Sequence, residues 1–398
     1  MYETLTPAAA AQMPERLRLT ALEELWAAPI GRDPLTEALL DQSSVASLRQ
    51  ALEAAVLPAL RRPPCVVSFS GGVDSSVVLA LATHVARREG LPLPVPITNR
   101  FPLLEEADEA EWQERVVSHL GIEDWTRLEW ADELDMLGPI ATGILRRHGV
   151  LIPFNSHFHY PLLERAAGGS LLSGIGGDEL FESVARTTAA RVLVQHHRPS
   201  LRELRSVAFA LAPRELRARV NARRRPFHDY SWILPPHRRR LAYAYRSWES
   251  REPLRCDRAL REWWWPSRGL QCGLASMSVL ADDFDVLMRS PLVDPDVLVA
   301  CAHAGGAAGL GTGSRARGFG STVEDLLPRE VLTRRSKASF SGAFWTGRAH
   351  GFVERWDGLG VDQERVDIDL LRAEWSSPTP NPHSFVQLQR AWLASQPA

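Results

Sequence analysis

The chain has 398 residues, of which 45% are hydrophobic and 24% are charged, a composition typical of soluble globular proteins. The formal net charge of −2 argues against nucleic acid as a partner, and no apolar run reaches the roughly 18 residues that span a membrane. The N-terminus lacks a signal-peptide pattern, and the four cysteines show neither metal-ligand nor disulfide-framework spacing. We therefore expect a cytoplasmic protein.

The N-terminal part of the chain divides into two segments. Residues 1–33 have mixed composition without strong periodicity, and we interpret them as a leader or linker remnant. Residues 34–60 carry apolar side chains at helical spacing, which predicts an amphipathic helix that ends before Pro63 and Pro64. We expect one domain from residue 34 to the C-terminus.

Short hydrophobic strands then alternate with helical patterns. This alternation predicts an α/β fold with a parallel, doubly wound sheet, whose ligand sites lie at the C-terminal ends of its strands. The predicted strands are 66–69, 95–98, 126–130 and 171–173, and the predicted helices between them are 75–88, 109–120 and 132–148.

The second half of the chain is predominantly helical in pattern. Residues 191–266 are rich in arginine and tryptophan, and we predict that they form a helical insertion outside the sheet. Because these residues are favoured at recognition surfaces, the insertion could bind an acidic or aromatic peptide. Solvated arginines and buried tryptophans are the ordinary alternative. A proline-rich loop at 376–382 precedes a final predicted helix at 384–394.

The first predicted strand leads directly into the turn Ser70-Gly71-Gly72-Val73-Asp74-Ser75-Ser76. Its glycines lack the Cβ atoms that would block an oxyanion, and its serines offer hydroxyl donors. The following helix directs free N–H groups and the positive end of its dipole at the same point. The turn therefore predicts a triphosphate site. It is not a Walker A loop, and it resembles the pyrophosphatase loop of enzymes that split ATP between its α and β phosphates.

A second loop, Gly174-Ile175-Gly176-Gly177-Asp178-Glu179, follows the fourth predicted strand. Both loops come at the same edge of a parallel sheet, so Asp74 and Asp178 could together hold Mg²⁺ against the phosphates. Carboxylate oxygens are the hard ligands that this ion prefers. The alternative is that each aspartate merely caps a helix.

The 46 basic residues, Lys and Arg together, include a single lysine, Lys337. A lone lysine in such an arginine-rich chain indicates a position where a compact ammonium is required and a planar guanidinium would not serve. Chance retention is the alternative interpretation.

Three motifs together resemble the synthetase domain of the asparagine synthetase family. They are residues 70–76, residues 173–181, and Leu327-Pro328 followed by residues 334–340. Their order and spacing also match, and the resemblance extends from about residue 34 to the C-terminus. It implies a sheet of the adenine-nucleotide α-hydrolase (PP-loop) type with a large helical C-terminal part. It also implies adenylation of a carboxylate by ATP, with release of pyrophosphate, and attack of an amine that releases AMP.

The resemblance also implies roles for individual residues. Asp74, Asp178 and Lys337 would be catalytic, the two aspartates as Mg²⁺ ligands and the lysine by stabilising charge that develops on the phosphates and the acyl carbonyl. The residues that would bind ATP and pyrophosphate are Ser68, Ser70, Gly71, Gly72, Asp74, Ser75, Ser76, Gly174, Gly176 and Lys337.

Two departures from the family pattern bear on the substrate. Asparagine synthetases carry glutamate at the position of Ile175, and β-lactam synthetases carry a tyrosine that helps to deprotonate the amine; isoleucine cannot accept a proton. Tyr2 stands where the family's N-terminal glutaminase domain has its cysteine, and that domain is missing. Both departures favour an amine supplied by the substrate itself, as in lasso-peptide cyclases, which close a peptide to a macrolactam.

Other readings stay open. One is a standalone enzyme that acts on a small amino acid with ammonia or a small amine, similar to asparagine or β-lactam synthetases. Another is a catalytically silent member that binds a peptide or partner, although Asp74, Asp178 and Lys337 together argue against it. The expected partners are a peptide or amino-acid substrate with a carboxylate and an amine, and a protein that replaces the missing domain or delivers the precursor.

Overall fold

The computed structural model describes residues 13–36, 47–177, 180, 200–224, 229–310, 315–334 and 338–397. Within these ranges the protein is built around one parallel sheet in the order β3-β2-β1-β4-β5. The strands are β1 (Cys65–Ser68), β2 (Val95–Arg100), β3 (Thr126–Glu129), β4 (Ser170–Leu172) and β5 (Leu287–Arg289).

Strand β1 lies at the centre of the sheet, and the strand order reverses beside it. In register, Val66 pairs with Val95 of β2 on one side and with Leu171 of β4 on the other. Strands β2 and β3 extend the sheet to one side, while β4 and β5 extend it to the other. In open parallel sheets, ligands bind in the crevice at such a switch point, outside the C-terminal ends of the strands.

Helices pack on both faces of the sheet, and the rest of the described chain consists of further helices, loops and short 3₁₀ or π-helical turns. The first seven helices are α1 (Leu48–Leu60), α2 (Val73–Glu89), α3 (Ala110–Leu120), α4 (Pro139–His148), α5 (Tyr160–Arg165), α6 (Leu201–Leu211) and α7 (Arg214–Arg224). The others are α8 (Pro235–Glu249), α9 (Cys256–Ala259), α10 (Arg268–Asp282), α11 (Pro295–Gly305), α12 (Arg315–Val323), α13 (Arg329–Thr333), α14 (Ser341–Phe344), α15 (Gly347–Arg355), α16 (Ile368–Trp375) and α17 (Phe385–Ala394).

Local sequence explains how the two helices that flank β1 begin and end. Ser47 and Gln50 form a reciprocal capping box at the start of α1, which ends at Leu60 before the Pro63-Pro64 pair. Helix α2 starts after Gly72 and stops at Gly90, which adopts the left-handed conformation that glycine tolerates. Most residues of α2 are buried, as expected of a helix enclosed between the sheet and other helices.

The α/β class and the parallel sheet are confirmed. The predicted strand at 171–173 corresponds to β4, one residue earlier, and the final predicted helix to α17. Helix α4 begins only at Pro139, not at residue 132 as predicted, because Asp135 accepts a hydrogen bond from Leu137 N and the chain turns there. A Cβ at Gly138 would lie 2.4 Å from the carbonyl oxygen of Glu133, so this turn requires glycine.

The described part of the segment interpreted as a leader or linker, from Met13 to Asp33, packs against the helices of the second half. Leu17, Leu25 and Trp26 are buried. Glu23 is also buried and forms an ion pair with Arg268 of α10. From residue 13 onward this segment is therefore part of the hydrophobic core.

The arginine-rich stretch predicted as helical contains α6, α7, α8 and α9 in its described part. None of the helices in the described ranges is long and apolar enough to cross a membrane.

Candidate active site

Side chains of the neighbouring strand β2 and of Trp125 fix the start of the loop after β1. Phe69 is buried, and its carbonyl oxygen accepts a hydrogen bond of 2.7 Å from the Thr98 hydroxyl on the neighbouring strand β2. Trp125 Nε1 in turn donates to the Thr98 hydroxyl at 3.0 Å. Ser68, the last residue of β1, is half-buried, whereas Ser70 is exposed at the tip of the loop. The chain therefore presents Ser70 and the start of α2 at the switch point.

The serines of this loop divide into two roles. Ser75 and Ser76 donate their hydroxyl protons to the carbonyl oxygen of Gly72 at 3.0 and 2.8 Å, and Ser76 is fully buried. Gly72 N donates to Ser70 Oγ at 3.3 Å, and Ser70 Oγ lies 3.2 Å from Ser75 Oγ. The hydroxyls of Ser75 and Ser76 thus stabilise the first turn of α2, while that of Ser70 is the one accessible to an oxyanion.

Two side chains from elsewhere in the chain fix the backbone of Ser70 and Gly71. Gln113 Nε2 of α3 donates to the Ser70 carbonyl oxygen at 3.1 Å. Arg334 Nη1 donates to the Gly71 carbonyl oxygen at 3.0 Å and pairs with Glu109, a buried carboxylate just before α3. Gly71 has a φ of +85°, and a Cβ there would lie 2.8 Å from Gln113 Cγ. Both conformation and packing therefore require glycine at this position.

The loop after β4 packs directly onto the first turn of α2. A Cβ at Gly174 would lie 2.9 Å from Ser75 N, and a Cβ at Gly177 would lie 2.1 Å from Cγ of Asp74. Gly176 has a φ of +103°, and a Cβ there would lie 2.2 Å from Val293 Cγ1. The glycines of the second loop thus allow it to approach the phosphate loop and the Asp74 carboxylate, which brings the two predicted loops together.

Two of the predicted catalytic residues, Asp178 and Lys337, lie outside the described residues. Gly177, the described residue before Asp178, lies against Asp74. Beyond Lys337, Ser339 N donates to the Glu106 carbonyl oxygen at 2.9 Å. Phe340 packs against Phe101, the residue after β2, with 5.9 Å between ring centres. The described residues Gly177, Ser339 and Phe340 therefore lie near the C-terminal edge of the sheet.

The residues at this edge fit a bound Mg²⁺ nucleotide. Asp74 is half-buried in the first turn of α2, and any side chain at Gly177 would overlap its carboxylate. Among the described residues there is no group of three or more histidine, cysteine, aspartate or glutamate side chains that could hold a metal by itself. Mg²⁺ in nucleotide sites usually takes only one or two carboxylates and shares the phosphate oxygens, and Asp74 with Asp178 would provide that number.

The second loop also carries an apolar side chain beside the phosphate site. Ile175 is half-buried and packs against a cluster of buried residues that includes Ile97, Phe101 and Leu171. Ile175 N donates to Ser173 Oγ at 3.3 Å, which fixes the start of the loop. This part of the site is therefore an apolar wall.

Two buried titratable groups of the described chain, His157 and Cys65, are neutral near pH 7. His157, next to Phe158 in the same region, is buried, and this burial lowers its pKa to about 4; its Nε2 bonds to the Leu134 carbonyl oxygen at 2.9 Å. Burial raises the pKa of the Cys65 thiol in β1 to about 11. Neither group is placed to take a proton from a substrate amine.

Sequence reasoning missed the side chains that hold the phosphate loop, Glu109, Gln113 and Arg334. Glu109 and Arg334 are 225 positions apart in the sequence, so their pairing has no local signal. The spacing in α3 offers a weak signal, because Gln113 falls on the same helix face as Val116 and Leu120, and a polar side chain on a buried face needs a hydrogen-bonding partner.

A parallel sheet with a glycine- and serine-rich turn at its switch point, opening onto a helix N-terminus, defines a nucleotide-binding α/β protein. The family model of asparagine synthase matches residues 47–384, which is most of the chain, so the chain belongs to the asparagine synthase family. No curated protein matches the sequence. Members of this family are ATP-dependent ligases that form C–N bonds through adenylation, and they generally require Mg²⁺.

Proposed function

We propose that this chain adenylates a carboxylate of a peptide and joins it to an amine of the same peptide, closing a macrolactam as lasso-peptide cyclases do. The observation that carries the proposal is Ile175, an apolar, half-buried side chain in the loop beside the phosphate site. Because isoleucine cannot accept a proton, an amine that is already partly neutral is the better nucleophile. A peptide α-amino group, with an ordinary pKa of about 8, meets this need, whereas a lysine-type amine at about 10.4 does not.

The reaction would proceed in two steps. A carboxylate oxygen of the substrate attacks the α-phosphorus of ATP, and the bond to the bridging oxygen breaks, so that pyrophosphate leaves with the electron pair. The amine nitrogen then attacks the acyl carbon, AMP leaves with the electrons of the C–O bond, and the amine proton passes to solvent. The net product is one amide bond.

The residues of this chain would contribute by binding and orienting the phosphates. Ser70 and the free N–H groups at the start of α2 would bind the departing pyrophosphate. Asp74 and Asp178 would hold Mg²⁺, which neutralises charge on the phosphate oxygens. Lys337 would stabilise the charge that develops on the α-phosphate and the acyl carbonyl. Ile175 would offer the substrate an apolar contact beside the phosphate loop.

The experiment compares three substrates at equal concentration with ATP and Mg²⁺. The first is a linear peptide with an internal aspartate or glutamate and a free α-amino group, the second is its N-acetylated form, and the third is aspartate with ammonia. Pyrophosphate release is measured together with the peptide mass. We expect the free peptide to release pyrophosphate and to lose the mass of one water.

The N-acetylated peptide separates the two steps, since it keeps the carboxylate and lacks the nucleophile. It should release pyrophosphate without forming a cyclic product, and replacing its acidic residue by the amide should abolish release. If the protein turned over aspartate with ammonia but neither peptide, the result would favour an enzyme that acts on a small amino acid. Absence of both pyrophosphate release and ATP binding would favour a silent, partner-binding member.

A further inference from the structure

A separate cavity lies within the arginine-rich helices, among α6, α7, α8 and α9. Its volume is about 840 Å³, in the range of sites that hold several side chains of a ligand. None of its lining residues belongs to the two loops of the candidate active site. The lining contains the arginines Arg32, Arg214, Arg217, Arg251, Arg255 and Arg258.

Several of these arginines are already committed to the protein. Arg258 makes a two-pronged contact with Glu262 at 2.7 and 2.8 Å. Arg255 makes a similar contact with Asp257. Arg217 is buried and donates to the carbonyl oxygens of Ala210 and Ser250. These side chains shape the cavity wall, and their charges are largely compensated.

Arg214 and Arg251 differ from them. Both are exposed at the cavity, on α7 and directly after α8, and neither side chain has a partner among the described residues. Glu215 and Glu252 also line the cavity, but no ion pair joins either of them to Arg214 or Arg251 within the described residues, so both guanidinium groups can pair with an anionic group that enters the cavity. They are therefore the groups most available to a ligand.

An aromatic pair contributes the apolar part of the same cavity. Trp248 and Trp263 stack with 5.4 Å between ring centres and 19° between ring planes. Trp263 Nε1 is buried and has no hydrogen-bond partner within the described ranges. The indole nitrogen is therefore turned away from the cavity, and the ring surface of the pair is what a ligand can contact.

We propose that this cavity binds a peptide segment that carries acidic and aromatic side chains. Carboxylates would pair with Arg214 and Arg251, and an aromatic ring would pack on the tryptophan pair. A polyphosphate backbone fits less well, because it carries a charge at every unit and would meet Glu215 and Glu252, whereas a peptide can place separate carboxylates at Arg214 and Arg251 and an uncharged backbone beside the glutamates. The inference is independent of the reaction proposed above.

The test measures binding, not turnover, on the full chain. A short fluorescein-labelled peptide of glutamate, phenylalanine and glycine is titrated with protein, and its anisotropy is recorded. Arg214→Glu and Arg251→Glu should each weaken binding at least about tenfold, since each removes a charge-assisted hydrogen bond and adds repulsion. Arg219→Glu is the matched control, because Arg219 is exposed on the same helix α7 but does not line the cavity.

Peptide variants test the two halves of the ligand. Replacing glutamate by glutamine should remove most of the affinity, and replacing phenylalanine by alanine should lower it several-fold. Equal weakening by Arg219→Glu would show that only overall charge matters and would overturn the proposal. So would tighter binding of a single-stranded oligonucleotide of similar length, which would identify the cavity as a nucleic-acid site. Circular dichroism of each variant shows whether it is folded.

Discussion

Arg334 and Glu109 form a buried ion pair beside the phosphate loop, with their side chains only 4% and 5% exposed. The same guanidinium donates to the Gly71 carbonyl oxygen. Arg334 Cζ lies 4.8 Å from the centre of the Trp112 ring. Arg334 also stands three residues before Lys337 in the chain. One side chain therefore joins the phosphate loop, the start of α3 and the segment that leads to the single lysine.

The first prediction concerns the stability that this pair confers. Glu109→Ala removes the buried carboxylate that pairs with Arg334, and loss of one member of a buried ion pair should lower the free energy of unfolding by about 3–5 kcal/mol. The matched control is Glu111→Ala, which breaks the exposed pair with Arg115 on the same helix and should cost at most about 1 kcal/mol. Urea unfolding of both variants measures the difference. Similar small losses in the two variants would show that the buried pair is not a determinant of stability.

The second prediction tests the contact between the two loops. In Gly177→Ala the new methyl group would lie 2.1 Å from Asp74 Cγ, so the carboxylate has to move. A displacement of about an ångström at a group that positions the phosphates should reduce pyrophosphate release on the order of 10²-fold. Gly143→Ala in α4, where the methyl group meets open space, is the control and should keep full activity. A fully active Gly177→Ala enzyme would exclude this role of Asp74.

The third prediction is a loss of stability in acid to which His157 contributes beside His159, whose pKa burial also lowers to about 4. Burial lowers the pKa of the His157 imidazole from 6.5 to about 4. Between these pH values the unfolded chain binds the proton and the folded protein does not, so stability falls as the pH falls through this interval. The contribution is at most about 3 kcal/mol and is absent above pH 6.5, where both states are neutral.

Unfolding of the wild type and of His157→Gln at several pH values checks this sign. The variant should show a flatter dependence of unfolding free energy on pH between 6.5 and 4, whatever its stability at neutral pH. His119→Gln, a change of an exposed histidine on α3, should leave the dependence as in the wild type. An unchanged slope in His157→Gln would assign the acid sensitivity to other groups.

The elements around the phosphate site could be predicted because their signals are local. Strand β1 is a short, mostly apolar run that is followed closely by the Gly71-Gly72 pair, and α2 is a long helix with an apolar middle that ends before Gly90. Strand β5 could not be found in the same way. It has only three residues, Leu287–Arg289, and all of them are partly or fully exposed, so it shows neither alternation nor an apolar run.

The candidate site was predictable to a similar extent. The two glycine-rich loops can be recognised from short sequence patterns, and the parallel sheet brings them together. The side chains that position them do so through contacts between distant segments, as Arg334 does with Gly71. Such contacts depend on how α3 and the C-terminal helices pack onto the sheet, and no short-range pattern encodes that packing.

The last prediction concerns Lys337, whose proposed role depends on the chemistry of its side chain. An ammonium can centre on one oxygen, whereas a guanidinium is longer and planar and donates in a fixed fork. Lys337→Arg should therefore be nearly as damaging as Lys337→Ala, and each should lower the rate of pyrophosphate release on the order of 10²–10³-fold. Because the rest of this chain uses arginine for every other basic side chain, a positive charge alone is not what selects lysine here. ATP binding measured separately should change much less than the rate, since the interaction strengthens in the transition state. Near-normal turnover by the Lys337→Arg variant would contradict this role and would indicate that the single lysine is retained by chance.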